Sequence, residues 1–338
     1  MKTGITSYGF YVPQYRIRVA DIANVWGKNA SEIERGLGVI EKAVSTAAED
    51  SLTMAYESSS IAMKGQKTPI GALFFGTESP VYAVNPSSTI LGELLDIGNN
   101  YLAYDTQFAC KAATGALISA LALVESNQIQ AALVVASDKA TGRPHDALEY
   151  TAASGSVSLL VGEKNQILSV DAWESFSSDT PDFWRREGIK YPSHGGRFTG
   201  KPSYFKHIVG AVKAILSKTK SKPEDFSYAV FHMPNGKFPV QVAAQLGFSP
   251  EQIKKSLVVS ELGNSYTASA LMGLVATLEY VKPGEKILFA SYGSGAGSDA
   301  FIFTATPELE KKRIIFSKKM NDKKYIDYPT YLKYMRII

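Results

Sequence analysis

Residues 105–115, DTQFACKAATG, hold the only cysteine in a chain of 338 residues. Before it, residues 102–108 carry β-compatible side chains of mixed polarity. After it, from Ala112, AATGALISALALVES repeats apolar residues at helical spacing. Cys110 therefore falls at a helix start. Unpaired backbone N–H groups and the helix dipole favour a thiolate there, so the stretch predicts a lowered pKa and a nucleophilic role. The competing reading of these eleven residues is a lone cysteine serving as a small buried hydrophobe. The flanking chain has to decide between them.

Upstream, residues 3–13 read as a strand, 19–26 and 31–36 as short helices, and 44–62 as a helix leading into the buried strand 70–76, IGALFFG. Thr77-Glu78-Ser79-Pro80 follows, then an amphipathic helix over 87–96. Downstream, 131–137 (AALVVAS) and 155–162 (GSVSLLVG) read as strands flanking a polar loop, the second closing the first half. This order is a layered α/β pattern. Residues 173–200, WESFSSDTPDFWRREGIKYPSHGGRFTG, interrupt it with aromatic, Gly, Pro and Ser residues and read as a functional loop.

The remainder repeats the architecture with little identity. A helix at 203–217 precedes a strand at 228–231, a helix at 238–246, a strand at 256–260, a helix at 265–280 and strands at 286–291 and 299–306. Glu78, just past its strand, precedes Cys110 by 32 residues, and His232, at its strand end, precedes Asn264 by the same 32. Two units related by a pseudo-twofold would bring all four polar groups to strand carboxyl ends in one crevice, where open α/β sheets place ligands.

A thiolate, an imidazole, an amide and a carboxylate in one pocket suit covalent acyl transfer. Cys110 would carry the acyl group as a thioester. His232 would exchange protons near neutrality, and Asn264 would hold that ring or a carbonyl oxygen without imposing charge. Glu78 adds what simple acyl transfer does not need: a base for a carbon next to a thioester, provided that burial raises its pKa. Gly293-Ser294-Gly295-Ala296-Gly297 follows a strand and suits half an oxyanion hole, the Cys110 N–H being the other half. A phosphate cradle competes, but no Gly-Lys-Ser or Gly-Lys-Thr ends the run; a structural glycine turn is the other alternative. His145 and His194 read as loop-fixing residues and His207 as structural. No pair of histidines, cysteines or acids has metal-ligand spacing, so no metal is expected.

Composition sets outer bounds. With 45% hydrophobic residues the chain can build a sizeable core, and a net charge of +4 is too mild to argue for nucleic acid. One cysteine allows no intrachain disulfide, and no apolar run approaches the roughly 18 residues a membrane span needs, so a cytoplasmic protein without a signal peptide is expected. Much of the positive excess lies in residues 308–324, ELEKKRIIFSKKMNDKK, which read as a solvated surface, with a docking surface for a partner protein as the alternative.

Taken together, GTESPVYAVNPSS around Glu78, DTQFACKAATG, DALEYTAASG, TPDFWRREG with YPSHGGRFTG, FHMPNGKFP around His232, ELGNSYTAS around Asn264 and SYGSGAGSDAF resemble hydroxymethylglutaryl-CoA synthases, particularly their short archaeal branch, from about residue 4 to 304. The resemblance implies the thiolase-like fold, α/β with two pseudo-symmetric halves in αβαβα layers. On that reading residues 1–170 and 203–307 are the two halves, 171–202 an active-site loop and 308–338 a basic tail. Residue by residue, it implies that Cys110 is acetylated by acetyl-CoA, that Glu78 deprotonates the acetyl methyl and that His232 polarises and protonates the acetoacetyl carbonyl. Asn264 would support the site and Ser294 would donate to the oxyanion. Thr151 and Thr199 would contact substrate, and Lys237 would lie near CoA phosphates.

The resemblance implies the product 3-hydroxy-3-methylglutaryl-CoA, a mevalonate precursor, made from CoA thioesters with no resident cofactor. It also implies a homodimer or larger assembly, and two partners: an acetoacetyl-CoA thiolase and a small zinc-ribbon/OB-fold bridging protein. Two stretches depart from the pattern: residues 26–38, WGKNASEIERGLG, lack the lysine that longer relatives place just before an IGLG-like stretch, and residues 139–145 are unusual beside the archaeal form. The rival enzyme is an initiating ketoacyl synthase, which shares a Cys, His, Asn set but generates its carbanion by decarboxylation and needs no Glu78. A catalytically silent scaffold of the same fold is the non-enzyme alternative.

Overall fold

The computed structural model describes residues 2–338. Its first half runs β1 (Gly4–Tyr11), β2 (Tyr15–Arg18), α1 (Val19–Val25), α2 (Ala30–Leu37), β3 (Glu41–Val44), α3 (Ser51–Ala62), β4 (Ala72–Gly76), α4 (Ser87–Leu94), β5 (Leu102–Thr106), α5 (Ala112–Glu125), β6 (Ala131–Lys139) and β7 (Ser154–Gly162). The second half continues with β8 (Leu168–Ser177), β9 (Phe183–Trp184), β10 (Ser193–His194), α6 (Lys206–Thr219), β11 (Tyr228–Phe231), α7 (Phe238–Leu246), α8 (Pro250–Ile253), α9 (Val259–Leu262), α10 (Ser269–Leu278), β12 (Lys286–Ala290) and β13 (Gly297–Ala305). A terminal segment adds α11 (Glu308–Lys312), α12 (Phe316–Asn321), β14 (Lys324–Tyr325) and α13 (Tyr328–Tyr334).

Nine strands form one mixed sheet in the order β11-β12-β13-β8-β1-β7-β6-β4-β5. At its middle, β1 and β8 pair only through Gly4 with Ser169 and Ile5 with Leu168. On either side of this seam the order mirrors itself: β13 answers β7, β12 answers β6 and β11 answers β4, with the same alternation of antiparallel and parallel pairing. The duplication inferred from spacing is thus a pseudo-twofold of the sheet, and β5 alone has no counterpart.

Strand side chains alternate between two faces, and here they sort into separate cores. Ala72 and Phe74 of β4 join α5 and α10, whereas Leu73 and Phe75 face α3 and α4. In β12, Ile287 and Phe289 join the same central core while Leu288 and Ala290 face α6 and α7. The result is helix, sheet, helix, sheet, helix. Such a central layer needs helices apolar all round, and every residue of α10 is buried. It also needs close approach: a Cβ on Gly76 would lie 2.5 Å from the backbone nitrogen of Ala113, so β4 can meet α5 only through glycine.

Four expectations are corrected. Residues 44–50 are not helical: Val44 ends β3, and Asp50 caps α3 by accepting from Thr53 N at 2.8 Å. Residues 173–177, where the sequence suggests loop, extend β8, which pairs with β13 along its length. Residues 256–260 form no strand. Their backbone closes local bonds, Ser256 N to Ile253 O and Leu262 N to Val258 O, because the short apolar run Leu257-Val258-Val259 serves a buried helical turn as readily as a strand. Finally, the basic terminal segment is part of the core: Phe316 and Met320 enter the central cluster, Tyr331 and Met335 pack with Ile17 and Ile22, and β14 pairs with β2.

Phe316 is buried with its ring centroid 5.1 Å from that of Phe10. Phe316→Ala is therefore expected to lower unfolding stability by about 3 kcal/mol or more in a denaturant titration. An unchanged midpoint would return the segment to a solvated tail.

Candidate active site

The turn after β4 is anchored from the neighbouring strand β6. Asp138, fully buried near the end of β6, accepts through Oδ1 from Thr77 Oγ1 (2.9 Å), Glu78 N (2.8 Å) and Ser79 Oγ (2.7 Å). Its Oδ2 accepts from Thr267 N (3.0 Å) in the second half. One carboxylate thus fixes the Glu78 backbone against the segment following Asn264.

Cys110 sits between β5 and α5, 4% exposed. Ala109 before it holds φ +46°, a left-handed conformation that costs a non-glycine residue about 1–3 kcal/mol and must be held by its surroundings. Part of the restraint is Thr267 Oγ1, which donates to Ala109 O at 3.2 Å. Asn264 is buried on an equivalent turn before α10. Its N–H donates to Thr151 O (2.7 Å), and its Oδ1 accepts from Tyr266 N (3.0 Å), which leaves the side-chain NH₂ as the group able to donate. Gly263 makes the approach possible: it has φ +79°, and a Cβ there would lie 2.7 Å from Thr151 O.

His232 follows β11 directly. Its backbone carbonyl accepts from Tyr204 OH at 2.7 Å, and its ring faces that of Tyr292 at 5.9 Å. The ring Nδ1 is buried and has no protein partner, and the same holds for Glu78 Oε1. Two polar atoms sealed from water without partners are a cost that a ligand would relieve.

A cavity of about 250 Å³ is lined by Cys110, His232, Asn264, Ser294, Thr151 and Thr199. Glu78 lines an adjoining cavity of about 540 Å³ that also presents Arg185, Arg186, Lys139 and Lys190. Phe183 and Tyr266 border both, so Glu78 meets the first cavity through the Cys110 thiol, with which its carboxyl interacts. Lys237 is exposed and lines neither cavity; it stands at the start of α7 between Asn235 and Phe238, which do line the first. His194 also borders that cavity, with Nε2 3.0 Å from Asp146, whereas His145 stacks on Trp26 and His207 is buried against Ser178 and Ser203.

Electrostatics reverse one expectation. The Cys110 thiol is held well above its usual pKa, first by burial and then by Glu78 and Asp138, which outweigh the helix start. Burial and the Asp138 charge also push Glu78 up to about 8, while the Cys110 hydrogen bond and Arg185 pull it down. Arg185 donates to Glu78 O at 3.0 Å. Burial lowers His232 to about 3, so its imidazole is neutral. At neutral pH the resting site is a thiol, a largely protonated carboxyl and an uncharged ring, poised to exchange protons rather than to hold charge. Among the described residues, no group of three or more His, Cys, Asp or Glu is arranged to hold a metal ion, and no helix is long and apolar enough to cross a membrane.

Asp138, Tyr266, Phe183 and Tyr292 were not singled out from the sequence. Asp138 had a signal, an acid ending the apolar run AALVVAS, that its polar loop obscured. The aromatic residues had none.

Known proteins resemble this chain in sequence and in fold. Residues 1–166 match the family described as hydroxymethylglutaryl-coenzyme A synthase N terminal, and residues 216–305 match 3-oxoacyl-[acyl-carrier-protein] synthase III C terminal. The hydroxymethylglutaryl-CoA synthase of Archaeoglobus fulgidus is 50% identical over 340 residues, covering 99% of each chain. The chain belongs to the hydroxymethylglutaryl-CoA synthase family. The synthase of Methanopyrus kandleri is 46% identical, over 98% of this chain and 97% of its own. Among solved structures, an HMG-CoA synthase complexed with CoA superposes with a TM-score of 0.91 at 26% identity, over 99% of this chain and 90% of its own. The fold is accordingly thiolase-like. The match to the rival ketoacyl synthase family covers residues 216–305, a stretch that carries His232, Asn264 and Ser294 but not Glu78.

Iodoacetamide should alkylate Cys110 at pH 7 at least about tenfold more slowly than a free thiol of pKa near 8.5, with the rate still climbing above pH 9 when followed by intact mass. A rate already flat between pH 7 and 9 would contradict the raised pKa.

Proposed function

We propose that the chain condenses acetyl-CoA with acetoacetyl-CoA and water to 3-hydroxy-3-methylglutaryl-CoA and CoA, and that it serves the mevalonate route to isoprenoids. The observation that carries this reading is the placement of the Glu78 carboxyl against the buried Cys110 thiol, with Oε1 buried and unpartnered, where burial and the Asp138 charge raise its pKa. A decarboxylating ketoacyl synthase has no use for such a base.

In the first step Cys110 Sγ attacks the acetyl carbonyl. Its proton passes to neutral His232 and then to the departing CoA thiolate, leaving an acetyl thioester. The carbonyl oxygen would be held by N–H groups of the Cys110 and Gly293–Ser294 turns. Next, ionised Glu78 removes a proton from the acetyl methyl, and the carbanion adds to the ketone carbon of acetoacetyl-CoA. The new alkoxide takes the ring N–H proton of His232, with Asn264 donating from its NH₂. His232 regains a proton from the carboxyl that Glu78 became in deprotonating the methyl, so that Glu78 is ionised again and His232 neutral. Hydrolysis of the thioester frees the product and restores the thiol. Thr151 and Thr199 would border the acyl chains, and Lys237 at the rim would meet CoA phosphates. This chemistry calls for no metal or redox group.

The reading extends to assembly. The free sheet edge at β5, where Leu102 and Phe108 are exposed, supports a homodimer or larger oligomer. An acetoacetyl-CoA thiolase, a zinc-ribbon/OB-fold bridging protein and a cytoplasmic location belong to the same proposal.

Incubation with acetyl-CoA is expected to add one acetyl mass to the intact protein, absent from Cys110→Ala. Acetylation of Cys110→Ala, or its absence in active parent protein, would sink the covalent step. Glu78→Ala should still acetylate but lose condensation by about 10²-fold or more. In the parent, single-turnover condensation by the acetylated protein should rise with pH around an apparent pKa of about 8 or above, because acetylation removes the thiol hydrogen bond that pulls Glu78 down. A pH-independent rate between 6 and 9 would contradict Glu78 as the base.

A further inference from the structure

Behind Cys110 lies a polar cluster that the chemistry above leaves unused. Lys111 Nζ donates to Asp299 Oδ1 at 2.8 Å and Oδ2 at 2.9 Å, and both side chains are almost entirely buried. Asp299 also accepts from Thr114 Oγ1 and Ser175 Oγ, each at 2.7 Å, while Thr114 Oγ1 lies 2.8 Å from Ser291 Oγ. Neither charged residue borders the substrate cavity. They can act on the reaction only through what they hold.

What they hold is specific. Lys111 follows Cys110 directly and stands at the start of α5 in the first half. Ser291 and Asp299, in the second half, bracket the turn that carries Gly293 and Ser294, and Asp299 N donates back to Ser291 Oγ at 3.3 Å. The two turns touch: a Cβ on Gly293 would lie 2.5 Å from Phe108 O and 2.9 Å from Lys111 Cγ. Lys111 Nζ also sits 4.1 Å from the centroid of the Phe108 ring, across the turn from Cys110. A buried ion pair gains little for folding over apolar residues of the same size, since both charges must be stripped of water. Its value here is register. The turn it grips contains the left-handed Ala109, which does not hold its conformation unaided.

We propose that the Lys111–Asp299 pair is a clamp between the two halves that positions the Cys110 sulfur against the Gly293–Ser294 oxyanion turn, and that acetyl transfer to Cys110 depends on it. This rests on Cys110 being the acyl acceptor. Lys111 and Asp299 are positioning residues in this account, touching neither substrate nor the reacting atoms.

The test is single-turnover acetylation by acetyl-CoA, followed by intact mass, with thermal unfolding measured alongside. It compares the parent, Lys111→Met, and the double variant Lys111→Met/Asp299→Asn. Methionine keeps the apolar stem and asparagine keeps partners for Thr114 and Ser175, so the double variant buries no unpaired charge, whereas the single variant does. The double variant is expected to unfold near the parent temperature and clearly above Lys111→Met. It should bind acetyl-CoA within about threefold of the parent, yet acetylate at least about tenfold more slowly, as misplacement of a reacting atom demands. Acetylation of the double variant at the parent rate overturns the clamp. So does a double variant no more stable than the single one, which assigns the pair to folding alone. A parent that takes up no acetyl group overturns the reading of Cys110, and the clamp with it, so the two failures are distinct.

Discussion

Asp138 accepts three hydrogen bonds from the Thr77-Glu78-Ser79 turn and a fourth from Thr267, and no water reaches it. Four donors on one buried carboxylate fix its position. They also fix the Glu78 backbone relative to the second half, because Thr267 belongs to the turn between Asn264 and α10. The same residue sets the chemistry: its charge, added to burial, keeps Glu78 protonated at a pH where an exposed carboxyl would be ionised. A base that must take a proton from carbon benefits from a pKa near the working pH, and the geometry that aims Glu78 also tunes it.

The site is in this sense the property of neither half. Cys110 and Glu78 come from the first, His232, Asn264 and the Ser294 turn from the second, and the sheet joins the halves through only two residue pairs of β1 and β8. Contacts across the pseudo-twofold therefore decide whether catalytic groups meet: Thr151 O with Asn264 N, Asp138 with Thr267, and Lys111 with Asp299. Each sits beside a residue of the proposed chemistry, and each is buried, so small errors in packing are not absorbed by solvent.

Much of this was legible in the residues alone. The run IGALFFG, the helical spacing after Ala112 and the equal separations of Glu78 from Cys110 and His232 from Asn264 carry periodicities that a single sequence displays openly. What stayed hidden was set by tertiary context. The 256–260 run is too short to tell a strand from a buried turn, and 173–177 reads as loop until β13 lies beside it. The basic segment after residue 308 hides its core face because Phe316 and Met320 stand among lysines. The Cys110 pKa departs from its local signal for a related reason: a helix start is local and visible, whereas Glu78 and the surrounding burial are assembled only by the fold.

That assembly separates two chemistries sharing one scaffold. A match to ketoacyl synthase III in the second half and to hydroxymethylglutaryl-CoA synthase in the first leaves Glu78, on the first half, as the group that distinguishes them. The most direct measurement is product analysis by mass spectrometry with acetyl-CoA plus acetoacetyl-CoA, set against acetyl-CoA plus a malonyl thioester on acyl carrier protein. The account predicts 3-hydroxy-3-methylglutaryl-CoA, one free CoA per product, and no turnover of the malonyl thioester. Release of carbon dioxide from the malonyl thioester with formation of an acetoacetyl product, and no six-carbon hydroxy acid from the first pair, would contradict it.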